Sequence, residues 1–139
     1  NLKMNQNRFA DDLTYLRRAG RGSPTSAVFG GLLKIKPIII SDAAGQNVAA
    51  EKVKGRGPAT NRLLQLVKEH YKSSPYQLVA IAHADCPAEA EAFKQRLKAV
   101  IPDKDVEILL DYIGPIVGAT VGPGTLAVYF YGDEVTFKA

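Results

Sequence analysis

The fold is decided by residues 77–131, which read QLVAIAHADCPAEAEAFKQRLKAVIPDKDVEILLDYIGPIVGATVGPGTLAVYFY. Three apolar runs in this stretch, 77–83, 105–112 and 125–131, are bounded by turn residues and predict strands. Residues 87–100 predict a helix, because apolar side chains recur there at helical spacing and a proline stands first. Strands that alternate with helices indicate an α/β fold, in which helices cover a mixed β-sheet.

The segment between the last two strands is rich in glycine and proline, and residues 113–124 read IGPIVGATVGPG. Gly114, Gly118 and Gly122 lie four residues apart, so they would form a stripe without side chains on a short helix. Such a stripe admits a neighbouring backbone or a ligand chain, and tight packing of the helix on the sheet explains it equally well. Residues 112–132 carry no charge, but their glycines and prolines predict a turn, a short helix and a strand rather than a membrane span.

The rest of the chain is predicted to complete a single domain over residues 1–139, since it shows neither an internal repeat nor a linker. Residues 1–20 lead into it: the polar stretch 1–8 is predicted to be frayed, and a helix over 9–19 ends at Gly20. Glu89 is placed to cap the start of the later helix. The remaining predicted elements are a short helix over 24–33, a hairpin of strands 35–41 and 47–53, a helix over 58–71 and a short strand over 135–138.

The composition is that of a globular protein and offers no catalytic or metal site. Apolar residues make up 46% of the 139 residues and charged residues 23%, which excludes disorder, collagen and a coiled coil. The single cysteine, Cys86, cannot form an internal disulfide, which favours a cytoplasmic location, as does the lack of a basic, apolar leader. One cysteine and two histidines at unrelated spacing support no metal site, and His83 is interpreted as a structural residue at a strand end. With no Ser–His–Asp set and no close carboxylate pair, we predict neither an enzyme nor a cofactor.

The basic residues are concentrated in the first half of the chain. Residues 1–60 contain ten lysines and arginines against four acidic residues. Two glycine-spaced basic segments stand out, 20–24 (GRGSP) and 54–57 (KGRG), each just before a predicted helix. Free backbone N–H groups and guanidinium groups there would suit a phosphate, a carboxylate or an acidic partner, although a capped helix or a solvated turn explains them as well. This leaves open a phosphate- or nucleotide-binding or regulatory module that uses the basic half.

Four segments together resemble the DegV family. Residues 13–23 (LTYLRRAGRGS) resemble its stretch YLKKGGRIS, and residues 31–38 (GLLKIKPI) resemble LLNIKPIL. Residues 51–56 (EKVKGR) resemble EKVRTR, and residues 113–124 resemble IGPVIGTHTGPG. The matches follow the family's order and span almost the whole chain. The resemblance implies the C-terminal domain of a two-domain DegV-like fold, with the N-terminal domain absent from this chain.

The resemblance also implies a function. Bacterial DegV-type proteins bind a long-chain fatty acid between and within two α/β domains, and they present it to a fatty acid kinase without performing chemistry themselves. The implied partners are therefore a long-chain fatty acid, a fatty acid kinase subunit and the missing N-terminal domain, with no nucleic acid. An isolated half can also form a homodimer through the apolar face that its missing domain would cover.

The resemblance assigns site residues by position. Arg21 matches an arginine near the ligand head group and the partner surface, and Lys54 and Arg56 match two arginines implied for partner docking. Thr120 stands where the family has a histidine that hydrogen-bonds the carboxylate, and a hydroxyl can donate one hydrogen bond but carries no positive charge. The predicted lipid-binding residues are Arg21, Ser23, Phe29, Leu33, Ile113, Gly114, Ile116, Gly118 and Thr120.

Overall fold

The computed structural model describes residues 3–20 and 34–138. Over these residues the chain forms six strands and four helices. In chain order they are β1 (Met4–Phe9), α1 (Leu13–Arg18), β2 (Ile35–Ser41), β3 (Asn47–Lys54), α2 (Arg56–His70), β4 (Leu78–His83), α3 (Pro87–Val100), β5 (Glu107–Tyr112), α4 (Pro115–Val121) and β6 (Leu126–Tyr131).

The strands form one mixed sheet in the order β3-β2-β1-β6-β4-β5. Strands β4 and β5 are parallel, and α3 supplies the long crossover that parallel strands require. The other neighbouring strands are antiparallel, and β2 and β3 form the predicted hairpin. The α/β fold with a mixed sheet is thus confirmed.

Helices α2 and α3 pack on one face of this sheet and close the hydrophobic core. Alternate residues of the central strands point into it, as the period-2 pattern of a half-covered strand requires. Its fully buried side chains include Phe9, Ile38, Leu63, Val67, Val79, Phe93, Leu97, Leu126, Val128 and Phe130. In the part of the chain that the structure describes, no helix is long and apolar enough to cross a membrane.

The prediction for the start of the chain is wrong. Residues 4–9 are not frayed but form β1 in the middle of the sheet, between β2 and β6. The pattern was hidden because two inward positions hold Asn5 and Asn7, both buried, and the Asn5 amide nitrogen donates to the carbonyl of Asp133 at 3.0 Å. Helix α1 therefore begins at Leu13 instead of residue 9, and the carboxylate of its N-cap Asp12 accepts from the backbone N–H of Thr14.

Two further predictions are wrong, and one lies outside the described residues. Residues 135–138 are not a strand, and the Phe137 carbonyl accepts a single hydrogen bond from Ala43 N. Glu89 does not cap α3, because it pairs with Arg56. The short helix expected over 24–33 falls on residues that are not described. The bounds of β2 and α3 are those predicted from the sequence.

Candidate functional site

The glycine-rich segment lies at the carboxyl ends of the parallel strands β4 and β5, an edge where α/β sheets commonly bind ligands. Both ends of the segment are tied to the end of β4. Ile113 N donates to His83 O at 2.8 Å, and Gly124 N donates to Ala84 O at 2.6 Å. The segment therefore forms a short arch over this edge, with α4 in its middle.

Helix α4 begins and ends at glycines of the predicted stripe. Gly114 precedes Pro115, which is pre-organised for the first helical position. Gly122 ends the helix with φ +84°, and a Cβ there would lie 2.5 Å from the ring of Tyr15 on α1. The stripe thus admits α1 at Gly122. Among the described residues, no side chain lies within 4 Å of a Cβ placed at Gly118.

Apolar side chains on and beside α4 face outward. Ile116 is 84% exposed, Tyr112 66% and Val117 56%, whereas Val121 at the other end of the helix is buried. Large apolar side chains rarely cluster in solvent unless a ligand or a partner covers them. Tyr112 at the end of β5, together with Ile116 and Val117 on α4, forms the apolar patch of the candidate site.

Thr120 lies on the same helix and is partly exposed. Its hydroxyl donates to the carbonyl of Ile116 at 3.1 Å, one turn earlier. The single hydroxyl proton is therefore used within the helix, and the oxygen lone pairs remain to accept a hydrogen bond. To donate to a ligand, the hydroxyl would first have to break this bond.

The two titratable residues His83 and Cys86, at and just after the end of β4, are buried and bonded within the fold. His83 is buried, its Nδ1 accepts from the backbone N–H of Cys86 at 3.2 Å, and its ring lies 4.5 Å from that of Tyr112. The Cys86 thiol is buried against the Thr125 carbonyl, and this burial raises its pKa. A raised pKa keeps the thiol protonated and unreactive, so the structure offers no thiol nucleophile at this position.

An ion cluster lies beneath the arch. Arg56 Nη1 donates to the carbonyl of Gly124 at 2.7 Å and pairs with Asp11 Oδ1 at 3.0 Å, while its Nε pairs with Glu89. Lys36 Nζ contacts the same Asp11 oxygen at 2.9 Å. Burial alone would raise the pKa of Asp11, but hydrogen bonds from Lys36 and Arg56 outweigh it and hold the pKa below its ordinary value.

The structure brings five of the predicted lipid-binding residues together on the arch: Ile113, Gly114, Ile116, Gly118 and Thr120. Lys54 is exposed at the end of β3, whereas the Arg56 guanidinium points into the ion cluster. The predicted residues Arg21, Ser23, Phe29 and Leu33 lie outside the described part of the chain.

Three residues of this region could not be recognised from the sequence. Tyr112 looked like the end of a buried strand, and Asp11 and Glu89 looked like ordinary residues of a first helical turn. Their contacts join positions 25 to 45 residues apart, from Lys36 with Asp11 to Arg56 with Asp11. No local signal could have revealed them.

A separate cavity of about 440 Å³ lies near the opposite end of the sheet. It is lined by the start of β1, the β2–β3 turn, Tyr129 and Val135, and it contains none of the predicted site residues. The apolar patch on α4, and not this cavity, coincides with the candidate site.

Residues 6–133 match the family model described as "Uncharacterised protein, DegV family". The chain belongs to the DegV family. A DegV domain-containing protein of Clostridium perfringens is 41% identical over 123 residues, which are 88% of this chain and 42% of that protein. The protein DegV of Bacillus subtilis is 35% identical over 118 residues, 85% of this chain and 41% of that protein.

Solved DegV structures share the fold. A fatty-acid-binding DegV family protein of Streptococcus agalactiae matches with a TM-score of 0.77 and 29% identity, covering 95% of this chain and 46% of that one. DegV of Bacillus subtilis, described as a fatty-acid-binding protein, matches with a TM-score of 0.73 and 30% identity, covering 94% and 45%. This DegV-family chain therefore spans less than half the length of the relatives it matches.

Proposed function

We propose that this chain forms one side of a binding site for the acyl chain of a long-chain fatty acid, as half of a two-domain DegV protein. The observation that carries the proposal is the apolar patch of Tyr112, Ile116 and Val117, exposed at the sheet edge where α/β proteins bind ligands. Two family members about 30% identical to this chain are described as fatty-acid-binding proteins, which supports the same ligand.

The chemistry of the arch suits an acyl chain. Burying one methylene group is worth roughly 0.8 kcal/mol, so a long chain needs an apolar wall more than it needs polar contacts. Ile113 and Ile116 supply part of that wall, and Gly114 and Gly118 leave room beside it. By resemblance, Phe29 and Leu33 extend the wall, and Arg21 and Ser23 lie near the head group.

Thr120 is the proposed head-group contact on α4. Its oxygen is free to accept, and its proton can be given to a carboxylate only at the expense of the bond to Ile116 O. Thr120 is therefore a weaker carboxylate ligand than a histidine, which can donate from a nitrogen and carry charge.

The finer function is proposed from the family resemblance: the protein performs no chemistry and presents the bound acid to a fatty acid kinase in the cytoplasm. The proposed partner-binding residues are Arg21, Lys54 and Arg56. Of the two that the structure describes, Lys54 is exposed and Arg56 is partly buried. The alternative, a phosphate-binding module, gains no support from Lys36 and Arg56, since both are paired with Asp11.

The proposal is tested by native mass spectrometry of the full-length product of the gene, purified without added lipid. The variants are wild type, Thr120→His and, as a matched control on an exposed neighbouring position, Ala119→His. A fatty acid bound to the wild type supports the proposal. Lipid on Thr120→His alone would mean that the acyl wall is intact and that another head group is the natural one. Lipid on none of the three would overturn the lipid-binding function.

A second comparison tests the half-site. Because half a tunnel encloses less of the acyl chain, residues 1–139 alone should bind oleic acid more weakly than the full-length product, and they can dimerise through the patch on α4. Equal affinity of the two proteins would contradict the half-site, and size-exclusion chromatography with light scattering reports the oligomeric state.

A further inference from the structure

Arg56 joins four elements of the fold at one point. It is the first residue of α2, and its guanidinium contacts Asp11 between β1 and α1, Glu89 in the first turn of α3, and the Gly124 carbonyl between α4 and β6. It also lies over the Phe9 ring, with its Cζ 5.1 Å from the ring centroid. An arginine at a helix N-terminus faces the positive end of the helix dipole, so this position is electrostatically unfavourable without those partners.

The loop that Arg56 holds contains two glycines, and the Thr125 hydroxyl at its end donates to the Val121 carbonyl at 3.1 Å. Gly124 has φ +81°, and a Cβ there would lie 2.8 Å from Asp11 Cβ and 3.0 Å from Arg56 Nη1. Gly122 has φ +84° and lies against the Tyr15 ring. Glycine is required at both positions, and the contacts with Arg56, Asp11 and Tyr15 add to the bonds that hold the loop after α4.

We infer that Arg56 is a positioning residue for α4: by binding the Gly124 carbonyl and the Asp11 carboxylate together, it fixes the end of the helix that carries Thr120. The consequence for ligand binding rests on the proposed lipid function, whereas the consequence for α4 itself does not. Arg56 thus acts on the site through the loop 122–124.

Positioning α4 requires the planar geometry of the guanidinium as well as its charge. Three partners in different directions use Nε and Nη1 of one planar group. A lysine at position 56 would keep the charge between Asp11 and Glu89 but has no fork with which to reach the Gly124 carbonyl at the same time.

Helix α2 itself offers a matched control for Arg56. Arg62, on the same helix, also pairs with two carboxylates, those of Glu51 and Glu69, and its side chain is 28% exposed against 24% for Arg56. Its partners lie on β3 and α2, not at the arch. Arg56→Gln and Arg62→Gln therefore remove comparable ion pairs, but only the first touches the loop after α4.

The first measurement is native-state amide hydrogen exchange by NMR. In Arg56→Gln the amides of Gly118, Gly122 and Gly124 should exchange about ten- to a hundredfold faster than in wild type, because a charge-assisted hydrogen bond that holds the loop is lost. The amides of Ile81 and Val128, in the central strands β4 and β6, serve as the reference for global unfolding. Arg62→Gln should leave the ratio between the two sets unchanged.

Each outcome decides the inference. Faster exchange confined to the α4 amides in Arg56→Gln supports it, whereas an equal acceleration of all amides, or none, overturns it and leaves Arg56 as an ordinary stabilising residue. If Arg56→Gln does not fold, Arg56→Lys is measured instead, with a smaller but equally local effect expected.

The second measurement, oleic acid binding by the full-length product, separates the inference from the proposed function. If wild type binds and Arg56→Gln binds at least about tenfold more weakly while Arg62→Gln does not, Arg56 positions a working site. If wild type binds no lipid, the proposed function fails, and the exchange data still decide whether Arg56 positions α4.

Discussion

Gly122→Ala should destabilise the protein more than any other single methyl addition at the candidate site. The residue has φ +84° and ψ 164°, a backbone conformation that is essentially restricted to glycine and costs about 1–3 kcal/mol for other residues. The new Cβ would also lie 2.5 and 2.6 Å from two ring carbons of Tyr15, and overpacking of this kind costs typically about 1–3 kcal/mol. We therefore expect a loss of about 2–6 kcal/mol in the free energy of unfolding.

The assay is urea unfolding followed by far-UV circular dichroism. Gly57→Ala is the matched control, since Gly57 lies in the first turn of α2 and a Cβ there meets no atom within 4 Å. Alanine is the better helix former, so the control should be neutral or more stable by up to about 1 kcal/mol. A Gly122→Ala protein within about 0.5 kcal/mol of wild type would refute the reasoning.

A double-mutant cycle with Tyr15→Ala separates the two causes. Removing the ring relieves the clash but leaves the backbone strain, so the cost of Gly122→Ala should fall by about 1–3 kcal/mol in that background. An unchanged cost would mean that the Tyr15 ring moves aside freely and that the backbone conformation accounts for the whole effect.

Three further outcomes are expected. The pKa of Asp11 is lowered in the folded state, so its ion pairs contribute stability above the unfolded-state pKa of about 3.8, and this contribution is lost as the pH falls through the lower folded value. Asp11→Asn should therefore reduce the free energy of unfolding at pH 7 and flatten its decline below pH 4, measured by urea unfolding at a series of pH values, and an unchanged decline would contradict the pairing with Lys36 and Arg56. Ile116→Asp should weaken oleic acid binding by the full-length product at least about tenfold, whereas Tyr76→Asp, at a residue 90% exposed away from α4, should not; equal effects would disconnect the patch from the ligand. Because the Cys86 thiol is buried out of reach of a reagent, and this burial also raises its pKa, its reaction with a disulfide reagent at pH 8 should be at least about a hundredfold slower in the native protein than in guanidinium, and a fast native reaction would show that the thiol is accessible.

Elements with a strong local pattern could be predicted from the sequence. Strand β2 and helix α3 begin and end where the apolar spacing and Pro87 indicate. Strand β1 could not be predicted, because Asn5 and Asn7 occupy core-facing positions and the Asn5 amide is satisfied by a distant group, the Asp133 carbonyl. Tertiary contacts decide such a segment, and the period-2 signal on which strand prediction depends is absent from it.

The candidate site shows the same division. The arch could be predicted as a short helix between glycines, because its spacing is local. The direction of the Arg56 side chain could not be predicted, because a KGRG segment is typical of a solvated basic turn. Only the structure shows that Asp11, Glu89 and Gly124 surround its guanidinium. Basic residues near a glycine-rich loop are therefore as consistent with internal ion pairs as with an anion site.

The two ends of α4 differ in how they contact the rest of the protein. A helix of seven residues is not stable alone, so its order must come from contacts. The backbone before the helix is held by the bond from Ile113 N to His83 O. The side-chain contacts lie at its C-terminal end, where Val121 is buried, Gly122 contacts Tyr15 and Arg56 binds the Gly124 carbonyl. Ile116 and Val117, near the other end, are mostly exposed and add little to the stability of the fold. Because the fold does not depend on them, these side chains are available to the proposed acyl chain, and the anchored end would hold them in place for it.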